Sequence, residues 1–316
     1  MKQISNRREF IKTSAGVTFL TATGLGLSST SAHGQAPIKR MTRPRLKTAL
    51  NAYSFSGPLR SGADGPPASM TLFDVLEFCA EQDFDALDPT GYFFPGYPKV
   101  PSDKYIAKFK KRAFELGLDI SGTGIRNNFA TSDKAVRAAD VRLAKEWIEV
   151  AAKLGAPVIR LFAGQEDEGS NRKEVAKWMA EDLRTCAEYG EKYGVLVGVQ
   201  NHGDFLKTAD QTIGMVKMVN SDWLGVILDT GNFHNDPYNE IAAVLPYTVN
   251  FQVKESPYGK DSKVRLDLDR LVKIVRDAGY RGYLPIETLT PTGATANPLI
   301  EVPRFHAEVK AAIERA

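Results

Sequence analysis

The chain has 316 residues, 43% hydrophobic and 25% charged, which is enough ordinary globular material for one large α/β domain or two small ones. Its net charge of +3 at pH 7 falls wholly within the first 35 residues, where Lys2, Arg7, Arg8 and Lys12 outweigh Glu9. The rest is therefore neutral and offers no electrostatic footprint for nucleic acid. After the first forty residues no apolar run is long enough to span a bilayer.

The N-terminal stretch reads as a processing segment. Arg7 and Arg8 are followed by Phe10 and Lys12, then by a modest apolar run from Val17 to Leu27 and small residues from Thr30 to Ala32. This resembles a twin-arginine export signal, which implies passage through that machinery, a periplasmic destination and removal of the segment. No cysteine stands near its end, so no lipid anchor is expected. We read 1–35 as the signal, 36–45 as a linker and 46–316 as one domain. Cys79 and Cys186 lie on separate helical patterns without metal-ligand spacing, and two buried thiols are expected.

From Leu46 onward, short apolar runs alternate with longer segments of helical period. The strand-like runs are KTALNAYSF, FDALDPT, LDISGTGI, PVIRLFAG, VLVGVQNH, WLGVILDTG, YTVNFQVKE and GYLPIETLT. The helical segments between them include TLFDVLEFCAEQ, SDKYIAKFKKRAFELG and EVAKWMAEDLRTCAEYGEKYG, and a last helix begins near Pro298. Several end on glycine (Gly117, Gly155, Gly194, Gly279), the usual C-terminal stop. Met215 and Met218 are expected in the core. Eight strand–helix units predict a single-domain (β/α)8 TIM barrel of class α/β. No glycine-rich phosphate loop follows the first strand, which weakens an open doubly wound sheet. SGPLRSGADGPPAS after that strand is too long for a simple turn and is expected to lie over the barrel mouth.

In such a barrel the chemistry gathers at the C-terminal ends of the strands. Strand two ends with Asp88 before an aromatic run containing Tyr92, Phe93, Phe94 and Tyr97. Arg126 follows strand three, and Arg160 lies on strand four. Gln200 and His202 close strand five, two apart and so on one face. Asp229, Asn232 and His234 close strand six. Gln252 and Lys254 lie on strand seven, and Glu287 ends strand eight. A barrel without a site needs no such ring. The DTG at 229–231 also matches the aspartic-protease tripeptide, but that chemistry needs two copies on an all-β fold.

The stretches LDTGNF, VKE and IET, with this strand order, resemble the xylose isomerase-like TIM barrels, a superfamily of sugar phosphate isomerases and epimerases, inosose dehydratases and endonuclease IV-like enzymes. The resemblance runs from about Leu46 to the last helix. It implies a carbohydrate substrate and a divalent metal, Mn or Mg, held at the positions of Gln200, Asp229, Gln252 and Glu287. Two of these depart from the pattern: glutamine stands at 200 where glutamate is usual, and at 252 where histidine is usual. Asn232 replaces a further histidine. An amide oxygen ligates hard cations but brings no charge.

Gln200 cannot act as a base, so a symmetric two-glutamate epimerisation is disfavoured. The expectation is one-base proton abstraction α to a carbonyl, with Glu287 and His202 catalytic. Asp88, Tyr92, Arg126, Arg160, Asn232, His234 and Lys254 are expected to contact substrate. For Glu287 the alternative is a structural ion pair with Lys254 or Arg160. The expected function is an exported sugar isomerase or epimerase. A lyase on the same site and a non-catalytic sugar-binding barrel are the rivals. DNA repair is disfavoured by export and neutrality.

Overall fold

A computed structural model of the chain describes residues 34–60, 68–203, 205–259, 262–288 and 297–316. Residues 1–33 of the segment read as the signal lie outside them, as does half of the loop expected over the mouth, residues 61–67. Nine parallel strands form one sheet: β1 (Arg45–Asn51), β2 (Ala86–Asp88), β3 (Asp119–Ile120), β4 (Thr123–Gly124), β5 (Val158–Phe162), β6 (Leu196–Gln200), β7 (Leu224–Asp229), β8 (Thr248–Lys254) and β9 (Arg281–Glu287). Their spatial order is β3-β2-β1-β9-β8-β7-β6-β5-β4.

β3 and β4 are the two halves of the third predicted strand, broken at Ser121–Gly122. One half pairs with β2 and the other with β5, and a further bridge joins Thr90 to Gly124. That junction brings the sheet round into the expected eight-fold barrel. The break has a packing cause. A Cβ on Gly122 would stand 2.7 Å from Asp88 Oδ2 and 3.0 Å from Asn250 Nδ2, closer than side-chain carbons approach. Only glycine lets the strand pass this polar layer inside the barrel.

The outer ring consists of α1 (Ser56–Leu59), α2 (Leu72–Glu81), α3 (Asp103–Glu115), α4 (Lys134–Leu154), α5 (Arg172–Tyr193), α6 (Ala209–Val219), α7 (Pro237–Val244), α8 (Leu268–Asp277) and α9 (Pro298–Arg315). Local signals set their ends. Thr71 and Asp74 form a reciprocal capping box on α2, satisfying amides that the first turn leaves open. Gly155 and Gly194 close α4 and α5 in the left-handed conformation, and Gly117 and Gly279 have positive φ where predicted. The core lies between barrel and ring, with Trp147, Phe109, Phe129, Phe251 and Phe305 among its largest fully buried side chains.

Three expectations change. Residues Ala52–Phe55 do not extend the first strand but form a 3-10 turn, because Asn51 accepts from the Tyr53 amide and ends the ladder. Met215 is buried, but Met218 is 43% exposed. The inward stripe of α6 is Ala209, Thr212, Met215, Val216 and Val219, and Met218 falls outside its 3.6-residue period. Gln35, read as the last residue of the signal, and the segment read as a linker are bonded along the barrel's N-terminal end. Gln35 donates to Leu224 O at 2.7 Å, the Ile38 amide to Pro246 O at 2.7 Å, and Arg40 to Leu245 and Thr248 carbonyls at 3.0 and 2.6 Å. Cys79 and Cys186 are free and buried, as expected. No helix among the described residues is long and apolar enough to cross a membrane.

Candidate active site

The C-terminal ends of the strands open into a cavity of about 1150 Å³. Its floor is built by β6, β7, β8 and β9. Strand alternation points Gln200, Asp229 and Gln252 inward, and they are buried with Glu287. Gln200 Nε2 donates to Asp229 Oδ2 and to Gln252 Oε1, both at 2.7 Å. The Lys254 ammonium lies 2.8 Å from Glu287 Oε1 and 3.5 Å from Asp229 Oδ2. Burial opposes the Lys254 charge, but Asp229 and Glu287 outweigh it and hold the ammonium above the usual lysine range. The ion pair between Lys254 and Glu287 was the structural alternative for Glu287; it exists, at the floor of the cavity.

Neighbouring strands hold the floor in place. Asn201 is fully buried and clamps β6 to β7: its Oδ1 accepts from the Asp229 amide at 2.7 Å and its Nδ2 donates to Asp229 O at 2.9 Å. Asp229 Oδ1 accepts from the Gly231 amide at 2.9 Å. Asn232 donates to Asn201 O at 3.0 Å, so it braces the same corner from the cavity wall.

The two glutamine amides carry a conflict. With Gln252 Oε1 facing inward it accepts from Gln200, but it lies 3.3 Å from Asp229 Oδ2 and 3.2 Å from Glu287 Oε2, oxygen against oxygen. With the amide turned over, its nitrogen donates to both carboxylates and its oxygen accepts from Asn51 Nδ2 at 3.2 Å, but nitrogen then meets Gln200 Nε2 at 2.7 Å. Turning Gln200 as well sets its oxygen 2.7 Å from Asp229 Oδ2. No orientation of the pair satisfies every contact, and Gln200 Oε1 is a buried atom with no partner among the described residues.

This frustration is informative. The contacts Gln200–Asp229, Gln200–Gln252, Gln252–Asp229 and Gln252–Glu287 fall at 2.7–3.3 Å, close to the roughly 3 Å between adjacent oxygens round an ion bound at 2.0–2.1 Å. The donor set of two carboxylates and two amides fits a hard divalent cation. Among the described residues no group of three or more His, Cys, Asp or Glu is placed to hold a metal, so the fit depends on the amides.

Most of the remaining predicted residues form the wall. Tyr92, Arg126, Arg160, His202, Asn232, His234 and Lys254 all line the cavity. The Arg160 guanidinium lies 3.9 Å from the Phe162 ring centre, and its Nη1 donates to Ile125 O at 2.6 Å while Nη2 donates to the Tyr92 hydroxyl. A Cβ on Gly124 would come within 2.8 Å of Arg160 Nε, so glycine makes room for it. His202 meets the edge of Phe162 at 4.9 Å. His234 is tied to Gly231 O at 3.2 Å. Of the aromatic run, Tyr92 lines the cavity, whereas Phe94 packs into the core against Trp147.

Asp88 does not reach the cavity. It lies beneath the floor, where Asn250 Nδ2 donates to it at 3.4 Å, and Thr90, two residues on, lines the wall instead. Burial pushes the Asp88 carboxyl up to about 7, against the pull of Arg160. Sequence reasoning missed Asn51 and Tyr53, which also line the cavity. The strand-end rule that found the others, applied to the first strand, selects Asn51.

A family model described as xylose isomerase-like TIM barrel matches residues 76–309. The chain belongs to this family. Solved structures similar to this xylose isomerase-like barrel include an L-ribulose 3-epimerase, at 19% identity and TM-score 0.69, covering 86% of this chain and 95% of that one. A D-psicose 3-epimerase from Clostridium cellulolyticum H10, solved with D-tagatose, matches at 20% identity and TM-score 0.66, covering 85% and 97%. The 3-keto-D-glucoside 4-epimerase of E. coli, in its apo form, matches at 13% identity and TM-score 0.65, covering 85% and 100%. At these identities the likeness is one of fold. No curated protein sequence matches the chain.

Proposed function

We propose that this barrel is a carbohydrate isomerase or epimerase that abstracts a proton α to a carbonyl, with Glu287 as the base. The observation that carries this reading is the Glu287–Lys254 pair on the floor of a cavity wide enough for a sugar, at a separation of 2.8 Å. Glu287 takes the proton. The Lys254 ammonium offsets the charge that develops as the carbonyl gains enolate character, a form of electrostatic stabilisation. His202, on the far wall, returns or redirects a proton; Asn232 and His234 contact hydroxyls. Gln200, Asp229, Gln252 and Glu287 are the residues that would hold a divalent metal, Mn or Mg, and such an ion supplies polarisation of the carbonyl. The named neighbours are sugar epimerases, which supports carbohydrate as the substrate class.

The test is incubation with keto-sugars in D2O. Deuterium in a recovered isomer is expected, and Glu287→Gln should cut the exchange rate by about 10²–10⁴-fold. An unchanged rate removes Glu287 from the chemistry. One observation favours a second reading. Gln200 presents an amide where a second glutamate base would stand, which suits elimination by a lyase; an unsaturated product would establish it.

We further propose that the Arg7–Arg8 segment exports the folded barrel to the periplasm. Replacing both arginines by lysine should retain the protein in the cytoplasm, as cell fractionation would show; unimpeded export would refute the signal.

A further inference from the structure

The end of the barrel away from the cavity carries an unbalanced charge. The stretch IKRMTRPRLK, from Ile38 to Lys47, holds five cations and no acid. Two of them serve the fold. Arg40 donates to the Leu245 and Thr248 carbonyls, and Lys47 pairs with Asp119 at 2.8 Å. Lys39, Arg43 and Arg45 are exposed, and their side chains make no hydrogen bond or ion pair among the described residues. Arg281 joins them from β9. It is exposed, stands in register with Arg45 on the adjoining strand, about 4.8 Å away, and donates to Arg43 O. No described carboxylate lies within ion-pairing distance of these four side chains. Like charges so placed repel one another, and an anionic surface laid against them removes the penalty. Met41 stands among them with 79% of its surface exposed, and Ile38 is 38% exposed at the same end.

We propose that this end of the barrel docks on an anionic membrane surface. Lys39, Arg43, Arg45 and Arg281 lie against the lipid phosphates, and Met41 enters beneath the headgroups. A bilayer answers both features of the patch, since it offers negative charge and an apolar layer below it. The strands are parallel, so the docked end, where β1 and β9 begin, is opposite the cavity at their C-terminal ends. The mouth then faces the water and stays open to substrate. The inference stands on the patch alone and needs no step of the sugar chemistry proposed above.

The experiment is co-sedimentation of the full chain with vesicles of equimolar phosphatidylglycerol and phosphatidylcholine, and with vesicles of phosphatidylcholine alone. Binding to the anionic vesicles is expected, weakened strongly between about 50 and 500 mM salt. Each cation near an anionic surface strengthens binding roughly fivefold. The triple variant Lys39→Gln, Arg43→Gln, Arg45→Gln should therefore bind about 100-fold more weakly. These side chains carry no bond of the barrel, and an unshifted thermal melt would show that the variant folds. Residues 1–33 are the same in every protein compared, so the difference reports the patch. Met41→Ser should weaken vesicle binding about tenfold while leaving binding to a single-stranded DNA oligonucleotide, a soluble polyanion, unchanged. Equal sedimentation of the triple variant and wild type overturns the inference. So does binding of the oligonucleotide as tight as that of the anionic vesicles and equally lost in the triple variant, which would make the patch a nucleic-acid surface.

Discussion

At the scale of single residues, Gln200 is the informative position. Its amide meets Asp229 and Gln252, and Gln252 in turn meets Glu287, so Gln200 keeps the shape of a ligand while removing a charge. Two carboxylates face the point, and the Lys254 ammonium already offsets part of their charge. Electrostatics then predicts weak metal binding, because ligand charge is a main determinant of affinity for hard cations. Gln200→Glu should tighten Mn2+ binding at least about tenfold, measured by paramagnetic resonance of free Mn2+. The same variant gives the floor a second base and should raise epimerisation over elimination. Unchanged Mn2+ affinity would place the ion elsewhere.

At the scale of elements, the site depends on how adjacent strands are tied at their ends. Asn201 carries both bonds between the β6 terminus and the Asp229 backbone and is fully buried. Asn201→Ala would leave an amide and a carbonyl unsatisfied in the interior. The expected loss is about 2–4 kcal/mol, read by urea unfolding, with substrate affinity weakened because Asp229 and Asn232 share that corner. Stability within a few tenths of a kcal/mol of wild type would show that water replaces the clamp. The same scale explains what the sequence could disclose. Strands and helices were legible because apolar periodicity and glycine stops are local. Asp229 and Glu287 stood out because a buried strand has no local reason to end in a carboxylate. Depth was not legible. Asp88 and Thr90 share a face of their strand, and only the barrel's tilt and the break at Gly122 decide which one enters the cavity. The contacts of the 36–45 segment and of Asn201 were equally hidden, since each is set by a partner distant in the chain.

At the scale of the whole molecule, two buried groups far from each other in sequence set opposing pH dependences. His306 on α9 stacks on Phe84 with ring centres 3.7 Å apart. Burial, aided by Lys310 and opposed by Asp83 and Asp85, lowers it from 6.5 to about 4. Between those values the unfolded chain binds its proton and the folded chain does not, so His306 makes stability rise with pH. Asp88 does the reverse. Burial raises it from 3.8 to about 7, with Arg160 lowering it and Glu287 raising it. Between those values the folded chain keeps a proton that the unfolded chain has released, so Asp88 makes stability fall as pH rises. Carboxylates held low by partners, such as Asp119 on Lys47 and Asp83 on Lys310, lose their contributions only at lower pH. Over the shared window the two slopes, each about 1.4 kcal/mol per pH unit at most, oppose and largely cancel. The combined contribution of this pair to wild-type stability should therefore be nearly constant from about pH 4.5 to 6.5. His306→Phe, which keeps the stack, should unmask a fall with rising pH across that range. Asp88→Asn, which keeps the Asn250 contact, should unmask a rise. Urea midpoints at half-unit pH steps would read both slopes, and parallel profiles for the two variants would show that neither group carries the linkage.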